Sequence, residues 1–406
     1  MISSPATAWI AARRASLGAL LLVSVLADRA FAQSDGGETA ARPGAGCPAG
    51  TTEVRPGSCQ APKIPPPSIV DYRPRSTLVT PTHLVPRAKY PVIDFHGHPG
   101  PRLRAGEALA QMVRSLDSIN VRLMLAADDM TGQEVASAVA VINGSPYKDR
   151  VRVLAGIDFS GVGPGWADKA IKQLEADVAA GAVGVGEISK GFGLSIKKPD
   201  GSRLHIDDPE LDPIWATCAR LNVPVLIHVA EPPAFFEPLD YTNERWLELA
   251  LYPDRRHQQG VRFEQLMTER NNMIKRHPNT KFILAHFGWH ANDLARAGKL
   301  LDENPNVFYD VAAVLYDFGR QPRAAHDFFV KYQDRILFGK DSYQPDEYPY
   351  YWRVFETSDE YFDYYRDYHA FWKLYGMSLP DEVLKKLYYK NALRLVPGMP
   401  KSGFPN

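Results

Sequence analysis

Short apolar runs alternate with longer segments of helical spacing along the chain from Tyr90 onward. The runs are rich in β-branched residues and too short for helices, which indicates strands. Helices are predicted at Glu107–Ile119, Asp168–Ala180, Pro209–Leu221, Phe263–Arg276 and Asp381–Val396. Eight strands are predicted, at Pro91–Phe95, Val121–Ala126, Arg152–Ile157, Val183–Ile188, Pro224–Val229, Lys281–Ala285, Val307–Val311 and Arg335–Phe338.

Strands that alternate with crossover helices predict a parallel sheet in an α/β fold. Eight such units favour a (β/α)8 TIM barrel, which typically needs about 250 residues before insertions. An open, doubly wound sheet is the alternative, but it would carry a glycine-rich phosphate turn after its first strand. Here the first strand runs into His96 and His98 instead. We therefore predict a barrel domain over residues 83–400.

The first 32 residues have the pattern of a signal peptide. Arg13 and Arg14 precede an apolar run, Leu17–Ala27, which is too short to span a bilayer, and Ala30-Phe31-Ala32 is typical of a cleavage site. An uncleaved anchor is the alternative. The pattern predicts a periplasmic or secreted protein that keeps no stable membrane span after cleavage.

Residues 33–82 are rich in Gly, Pro, Ala, Ser and Thr, which predicts a flexible linker. Cys47 and Cys59 lie in this stretch and could close a small loop in an oxidising compartment, or stay as two thiols. Cys218, on a predicted helix, is expected to be a small buried residue. Three cysteines are too few for a disulfide scaffold or a four-cysteine zinc module.

Composition narrows the class of protein further. The 406 residues include 45% hydrophobic side chains, which excludes a mainly disordered chain. Lys plus Arg and Asp plus Glu each number 47, so the formal net charge is zero. No overall attraction to nucleic acid is implied, and a small-molecule substrate is expected.

Potential metal ligands and titratable groups cluster at five predicted strand ends, where the active site of a barrel lies. His96 and His98 have the i, i+2 spacing that points two side chains of one strand the same way. Neutral imidazoles suit zinc and similar divalent cations, and a site with three or four protein ligands and an open position is typical of catalysis. The five strand ends carry His96 with His98, Glu187, His228, His286, and Lys340 with Asp341.

These positions, with the motifs IDFHGH, LAHFG, LFGKD and NALRLV, resemble the amidohydrolase superfamily. Within it they are similar to the amidohydrolase-related branch typified by aminocarboxymuconate-semialdehyde decarboxylase. The resemblance implies that His96, His98 and His228 bind a divalent metal, with zinc expected. It also implies that Asp341 is a further ligand that accepts a proton from the reacting water. His286 would polarise the substrate or act as acid and base.

Three residues near these motifs leave alternatives open. One metal ion is expected. A glutamate at the position of Glu187 resembles relatives in which it bridges two metals, so two ions are the alternative. Glu187 could instead contact the substrate or form a salt bridge. Lys340 could hold a substrate carboxylate or point away from the site. His290 is expected to line the substrate pocket.

The resulting hypothesis is a metal-dependent hydrolase that directs activated water at an amide, ester or lactone carbonyl of a small molecule. The alternatives are a metal-dependent non-oxidative decarboxylase of a small carboxylic acid, and a non-catalytic, metal-poor binding barrel. A homodimer is expected by analogy only.

Overall fold

A computed structural model of the chain describes residues 39–40, 46–188, 190–369 and 372–405. The predicted signal peptide, residues 1–32, lies outside the described residues. None of the helices that the structure describes combines the length and the apolar character needed to cross a membrane. The chain divides into two compact units, one ending at Arg73 and the other beginning at Pro74.

The first unit contains a small antiparallel sheet of three strands, β1 (Thr39–Ala40), β2 (Thr52–Arg55) and β3 (Ser58–Gln60), in the order β1-β3-β2. Cys47 and Cys59 form a disulfide with their Cα atoms 5.7 Å apart. Part of the stretch predicted as a flexible linker is therefore folded. A cross-link and a hairpin allow this in a segment with few apolar residues to bury, which composition alone does not reveal.

The second unit is built on one parallel sheet that follows the chain order predicted from sequence. Each predicted strand is present, with ends shifted by a few residues. Neighbours in the sheet run from β4 to β11 in chain order, and every pairing is parallel. The strands are β4 (Val92–His98), β5 (Val121–Met130), β6 (Val151–Ala155), β7 (Gly184–Ile188), β8 (Val225–Ile227), β9 (Phe282–Leu284), β10 (Val307–Asp310), β11 (Ile336–Leu337) and β12 (Asp341–Ser342).

The sheet closes through β11 and β12, which together form the eighth strand of the barrel. β11 pairs with β10, and β12, three residues later, pairs with β4. Between the halves, the Phe95 amide donates a hydrogen bond of 2.9 Å to the Phe338 carbonyl. The eighth strand thus joins the seventh strand, β10, to the first, β4, and the predicted (β/α)8 barrel is confirmed.

The helices follow the strands as crossovers. The predicted helix Phe263–Arg276 has the same bounds in the structure, and the predicted final helix is present with a π turn at Lys386–Lys390. The helices are α1 (Gly106–Ser118), α2 (Gln133–Asn143), α3 (Trp166–Ala180), α4 (Asp212–Arg220), α5 (Trp246–Leu251), α6 (Phe263–Arg276), α7 (Leu294–Glu303), α8 (Leu315–Arg320), α9 (Pro322–Lys331), α10 (Tyr348–Glu356), α11 (Asp381–Lys385) and α12 (Asn391–Leu395).

Gly339 lies where the eighth strand passes His96. A Cβ atom at this position would sit 2.7 Å from the Cβ of His96, closer than real side chains approach. A glycine therefore lets the closing strand and the first strand come together beneath the predicted metal ligands.

Candidate active site

Four histidines surround the carboxylate of Glu187 at the carboxyl ends of the strands. Oε1 lies 2.7 Å from Nδ1 of His228 and 3.4 Å from the Nε2 atoms of both His96 and His286. Oε2 lies 3.3 Å from Nε2 of His98. Residues that are 190 positions apart in the sequence therefore meet at one point, because β4, β7, β8 and β9 all end on the same rim.

Buried carbonyl and carboxylate oxygens fix the orientation of three of these rings. Nδ1 of His96 donates to Asp310 at 2.7 Å, and Nδ1 of His286 donates to the Ala312 carbonyl at 2.9 Å. Nε2 of His228 donates to the Ala230 carbonyl at 3.0 Å. Each of these rings therefore turns its other nitrogen towards Glu187, where that nitrogen can bind a metal once it carries no proton.

This arrangement fits a bound cation. Three ring nitrogens directed at one carboxylate need a positive charge among them, which a bound cation or protons on the rings can supply. Nε2 of His96 is fully buried and has no hydrogen-bond partner among the described residues. The ligand atoms of His96, Glu187 and His286 lie within 4.8 Å of one another, and so do those of His96, His98 and Asp341. Metal–ligand bonds of about 2.0–2.2 Å place ligand atoms roughly 3–4 Å apart.

His228 is in neither of these triplets, although its Nδ1 lies 3.1 Å from Nε2 of His286 and faces the same space. Of the predicted ligand set, His96, His98 and Asp341 are thus grouped around one point, with Nε2 of His98 3.6 Å from Asp341. His228 and Glu187 adjoin them. The structure brings the five predicted ligands into one cluster but does not divide them between one ion and two.

Opposite charges in the cluster lower the pKa of Glu187 and raise the pKa of His98. Burial opposes charge on Glu187, but His96 and His228 outweigh burial and hold the pKa of this carboxyl well below its usual range. Burial likewise opposes protonation of His98, while hydrogen bonds to Asp128 and Glu187 outweigh it and raise the pKa of His98 to about 9. A metal must displace such protons, so its affinity is expected to rise with pH.

Backbone strain is concentrated on the segments that carry these groups. His286, Phe287, Gly288 and Trp289 form a left-handed turn with φ between 55° and 58°, and Asp341 has a φ of 79°. Such conformations cost non-glycine residues about 1–3 kcal/mol each and cluster at functional sites. Here the amide of His286 is held by Asp310 at 2.8 Å, which fixes the turn.

Two cavities open from the cluster and share Lys190, His228, His286 and Asp341. The first, which we call the metal lobe, has a volume of about 360 Å³ and reaches His98 and Glu187. The second, which we call the arginine lobe, has a volume of about 140 Å³. Its wall contains Phe235, Arg245, Glu248, Arg255, Trp289, Tyr316, Arg366 and His369.

His290 and Lys340, predicted to bind substrate, make other contacts. Nε2 of His290 accepts a hydrogen bond of 3.0 Å from Arg270, and burial together with Arg270 lowers the pKa of His290 to about 2. His290 lines a separate cavity of about 460 Å³ beside Trp289. The Lys340 ammonium is buried against Glu347, and neither lobe is lined by it. A substrate contact by either residue remains a prediction.

Sequence reasoning missed Asp310 and Asp128. Asp310 is fully buried and binds both His96 and the amide of His286, while Asp128 lies 3.4 Å from Nδ1 of His98. Asp310 is the next-to-last residue of the predicted strand Val307–Val311, so the strand-end rule that found the histidines would have found it too. Asp128 was missed because β5 runs four residues beyond its predicted end. Asp94, two residues before His96, accepts a hydrogen bond of 3.1 Å from the His96 amide.

The family follows from comparison of the whole barrel with known proteins. Residues 93–398 match the family model described as Amidohydrolase. The chain belongs to the amidohydrolase family. The match covers every residue of the cluster, and the resemblance of the sequence motifs to the amidohydrolase superfamily is confirmed. The protein is therefore a metal-dependent enzyme of the amidohydrolase superfamily, and its His/Glu/Asp cluster is suited to a divalent metal.

Several solved structures are similar to this chain at low sequence identity. A 2,6-dihydroxybenzoate decarboxylase from Rhizobium is 15% identical, with 75% of this chain and 98% of that chain covered and a TM-score of 0.45. A 4-oxalomesaconate hydratase from Rhodopseudomonas palustris is 17% identical, with 75% and 95% covered and a TM-score of 0.45. A dihydroxybenzoic acid decarboxylase from Polaromonas sp. JS666, with bound manganese and an inhibitor, is 14% identical, with 75% and 96% covered and a TM-score of 0.46.

Proposed function

We propose that this amidohydrolase is a hydrolase that adds water to an amide, ester or lactone carbonyl of a small molecule. The observation that carries the proposal is the position of Asp341. Its carboxylate lines both lobes, is about one-third exposed, and lies 3.6 Å from Nε2 of His98. A carboxylate in contact with both the donor cluster and open space is placed to take a proton from water.

The charge on Asp341 supports this role. Burial alone would raise the pKa of Asp341, but His286 and His96 outweigh it and hold that pKa below its usual range. The carboxylate is therefore ionised at neutral pH and able to accept a proton. His286 faces the same space with Nε2, while its Nδ1–H is held by Ala312. Nε2 of His286 is then placed to hold a proton near a carbonyl oxygen.

We propose that His96, His98 and Asp341 hold the metal, with His228 and Glu187 beside them. Zinc is the expected ion because imidazole and carboxylate donors suit it. When bound, a divalent cation polarises a carbonyl and lowers the pKa of a water molecule towards about 7. The two ligand triplets share His96, so we expect one ion.

Metal analysis of the purified protein tests this assignment. Mass spectrometry of the wild type and of Glu187→Gln is expected to give close to one zinc per chain in both. A fall from two ions to one would show a binuclear site bridged by Glu187. A content below about 0.1 per chain after incubation with zinc would favour the metal-poor binding barrel instead.

Decarboxylation is the second candidate, and the cationic side chains beside the cluster favour it. Lys190 and three arginines line the arginine lobe, which suits an acidic substrate. In that reaction His286, beside the metal that the cluster would hold, would bind the substrate carboxylate and would then protonate the carbanion left by CO₂.

Isotope labelling separates the two reactions. The metal-loaded protein is assayed in H₂¹⁸O against aryl esters, lactones, N-acyl amino acids and hydroxybenzoates. Hydrolysis is expected to place ¹⁸O in the product carboxylate. Release of CO₂ without ¹⁸O in an organic product would overturn the proposal. Asp341→Asn is expected to lower kcat by about 10²–10⁴, the usual size of a general-base effect. The matched control Asp334→Asn removes an exposed carboxylate and is expected to leave kcat unchanged.

A further inference from the structure

The arginine lobe contains a cation that lacks a full set of partners. The side chain of Arg245 is 3% exposed, and its Nε and Nη2 both donate to Oε2 of Glu248. Nη1 of the same guanidinium is buried and has no hydrogen-bond partner among the described residues. A buried donor left unpaired in a cavity wall is costly unless a ligand completes it.

A second unpartnered polar atom lies beside it. Nδ1 of His369 is buried without a partner in the described part of the chain, and its Nε2 lies 3.7 Å from Oε1 of Glu248. Tyr316 contacts both groups: the Arg245 guanidinium lies 4.5 Å from the centre of its ring, and the His369 ring lies 5.2 Å away. Burial and the nearby arginines hold the pKa of His369 far below its usual range, so this imidazole is neutral.

The surrounding charges favour an anion. Arg255 donates to Oε1 of Glu248 at 2.6 Å, so both oxygens of that carboxylate are already engaged by arginines. Arg366 is 3.4 Å from Glu347, and Lys190 is 3.8 Å from Glu231. Four cationic side chains and three carboxylates line the lobe. A guanidinium with a free edge prefers a planar carboxylate, and a volume of about 140 Å³ admits a group of that size.

We propose that the arginine lobe binds a carboxylate of the substrate remote from the reacting carbon, with Arg245 as its anchor and His369 as its second contact. This inference rests on the proposed function and deepens it by naming the substrate class: small acids whose hydrolysable carbonyl lies at the metal cluster and whose carboxylate lies at Arg245.

Dicarboxylates test the proposal without any turnover. Binding of malonate, succinate, glutarate and adipate to the zinc-loaded protein is measured by calorimetry, each against its mono-amide. The ratio of the two dissociation constants, which we call the carboxylate gap, reports the second anionic group alone. We expect a gap of at least about tenfold at one chain length, because a charge-assisted hydrogen bond replaces a neutral one.

Variants then assign the gap to the lobe. Arg245→Gln is expected to reduce it to less than about twofold, and Arg366→Gln, a less buried change, to reduce it partly. The control Arg296→Gln removes an arginine that pairs with Glu264 and lines the neighbouring cavity, so it should keep the gap. Circular dichroism checks that each variant folds.

Either of two results would overturn the inference: no gap in the wild type at any chain length, or a gap that persists in folded Arg245→Gln. If that variant fails to fold, Arg366→Gln and the wild-type series still decide. The gap is independent of the reaction, so labelling that excludes hydrolysis would leave it intact. Hydrolysis without a gap would contradict only the carboxylate assignment.

Discussion

The metal cluster and the arginine lobe adjoin each other but are built differently. The cluster is carried by strand ends, and the oriented rings are held by buried partners such as Asp310 and the Ala312 carbonyl. The lobe is lined by side chains from two long loops, including Arg245 after β8 and Arg366 after β12. Strand ends fix geometry that many reactions can use, while loops carry the charges that select one substrate. The comparison predicts that variants of the two regions have separable effects.

The largest effect is expected from His96→Ala. This change removes the ring shared by both ligand triplets. Metal affinity should fall by more than about 100-fold, since loss even of an outer partner typically costs 10–100-fold. A competition titration with a zinc chelator measures it. Arg366→Gln, in the loop-borne region, should bind metal within about twofold of wild type. Equal losses in both variants would break the distinction between the regions.

A smaller loss is expected from Asp310→Asn. The amide oxygen can still accept from the His286 and Ala312 amides, but the charge opposite Nδ1 of His96 is lost. Zinc affinity should fall by about 10–100-fold, with the fold retained. Asp334→Asn is the matched control. Unchanged affinity in Asp310→Asn would mean that the strand-borne rings do not depend on their buried partners.

A pH series tests the electrostatics of His290, which lines a third cavity next to the two regions compared above. The folded protein holds the pKa of His290 near 2, while the unfolded chain binds a proton below about 6.5. The contribution of neutral His290 to the free energy of unfolding is therefore fully present above pH 6.5 and is lost as the pH falls towards 2. The loss is about 1.4 kcal/mol per pH unit, or roughly 2 kcal/mol at pH 5.

His290→Gln keeps an acceptor for Arg270 but does not titrate. The free energy of unfolding is measured by urea denaturation at pH 7.5 and at pH 5. Between these two pH values it should fall by roughly 2 kcal/mol more in the wild type than in the variant. Equal losses would show that His290 is not held neutral by Arg270. The comparison of variant with wild type cancels the titration of the metal ligands, which both proteins share.

The smallest effect is expected from Lys340→Met. Glu347 binds the ammonium of Lys340 and also lies 3.4 Å from Arg366, so it links the strand-borne and loop-borne regions. Without Lys340, the carboxylate of Glu347 should pair more strongly with Arg366. The positive charge available to a ligand in the arginine lobe then falls, and the carboxylate gap should decrease by about two- to fivefold. Lys331→Met, which removes an exposed lysine, is the control. A reduction as large as that of Arg245→Gln would instead indicate a direct substrate contact by Lys340.

Periodicity predicted the barrel because its strands are short, buried on both faces and evenly spaced. The same regularity located His96, His98, Glu187, His228 and His286, since a strand end in a barrel is also a site position. Arg245 and His369 could not be found in this way. Their loops have no period, and their meeting depends on tertiary contacts of His369 with Glu248 and Tyr316 that no local spacing encodes.

The seam of the barrel and the floor of the active site are one short stretch, residues 336–342. It joins β10 to β4, passes His96 with no side chain at Gly339, and then presents Asp341. A substitution in this stretch is therefore expected to affect both the closure of the barrel and the position of Asp341. An engineer who seeks new substrates has freedom in the loops after β8 and β12, while this stretch has to be left as it is.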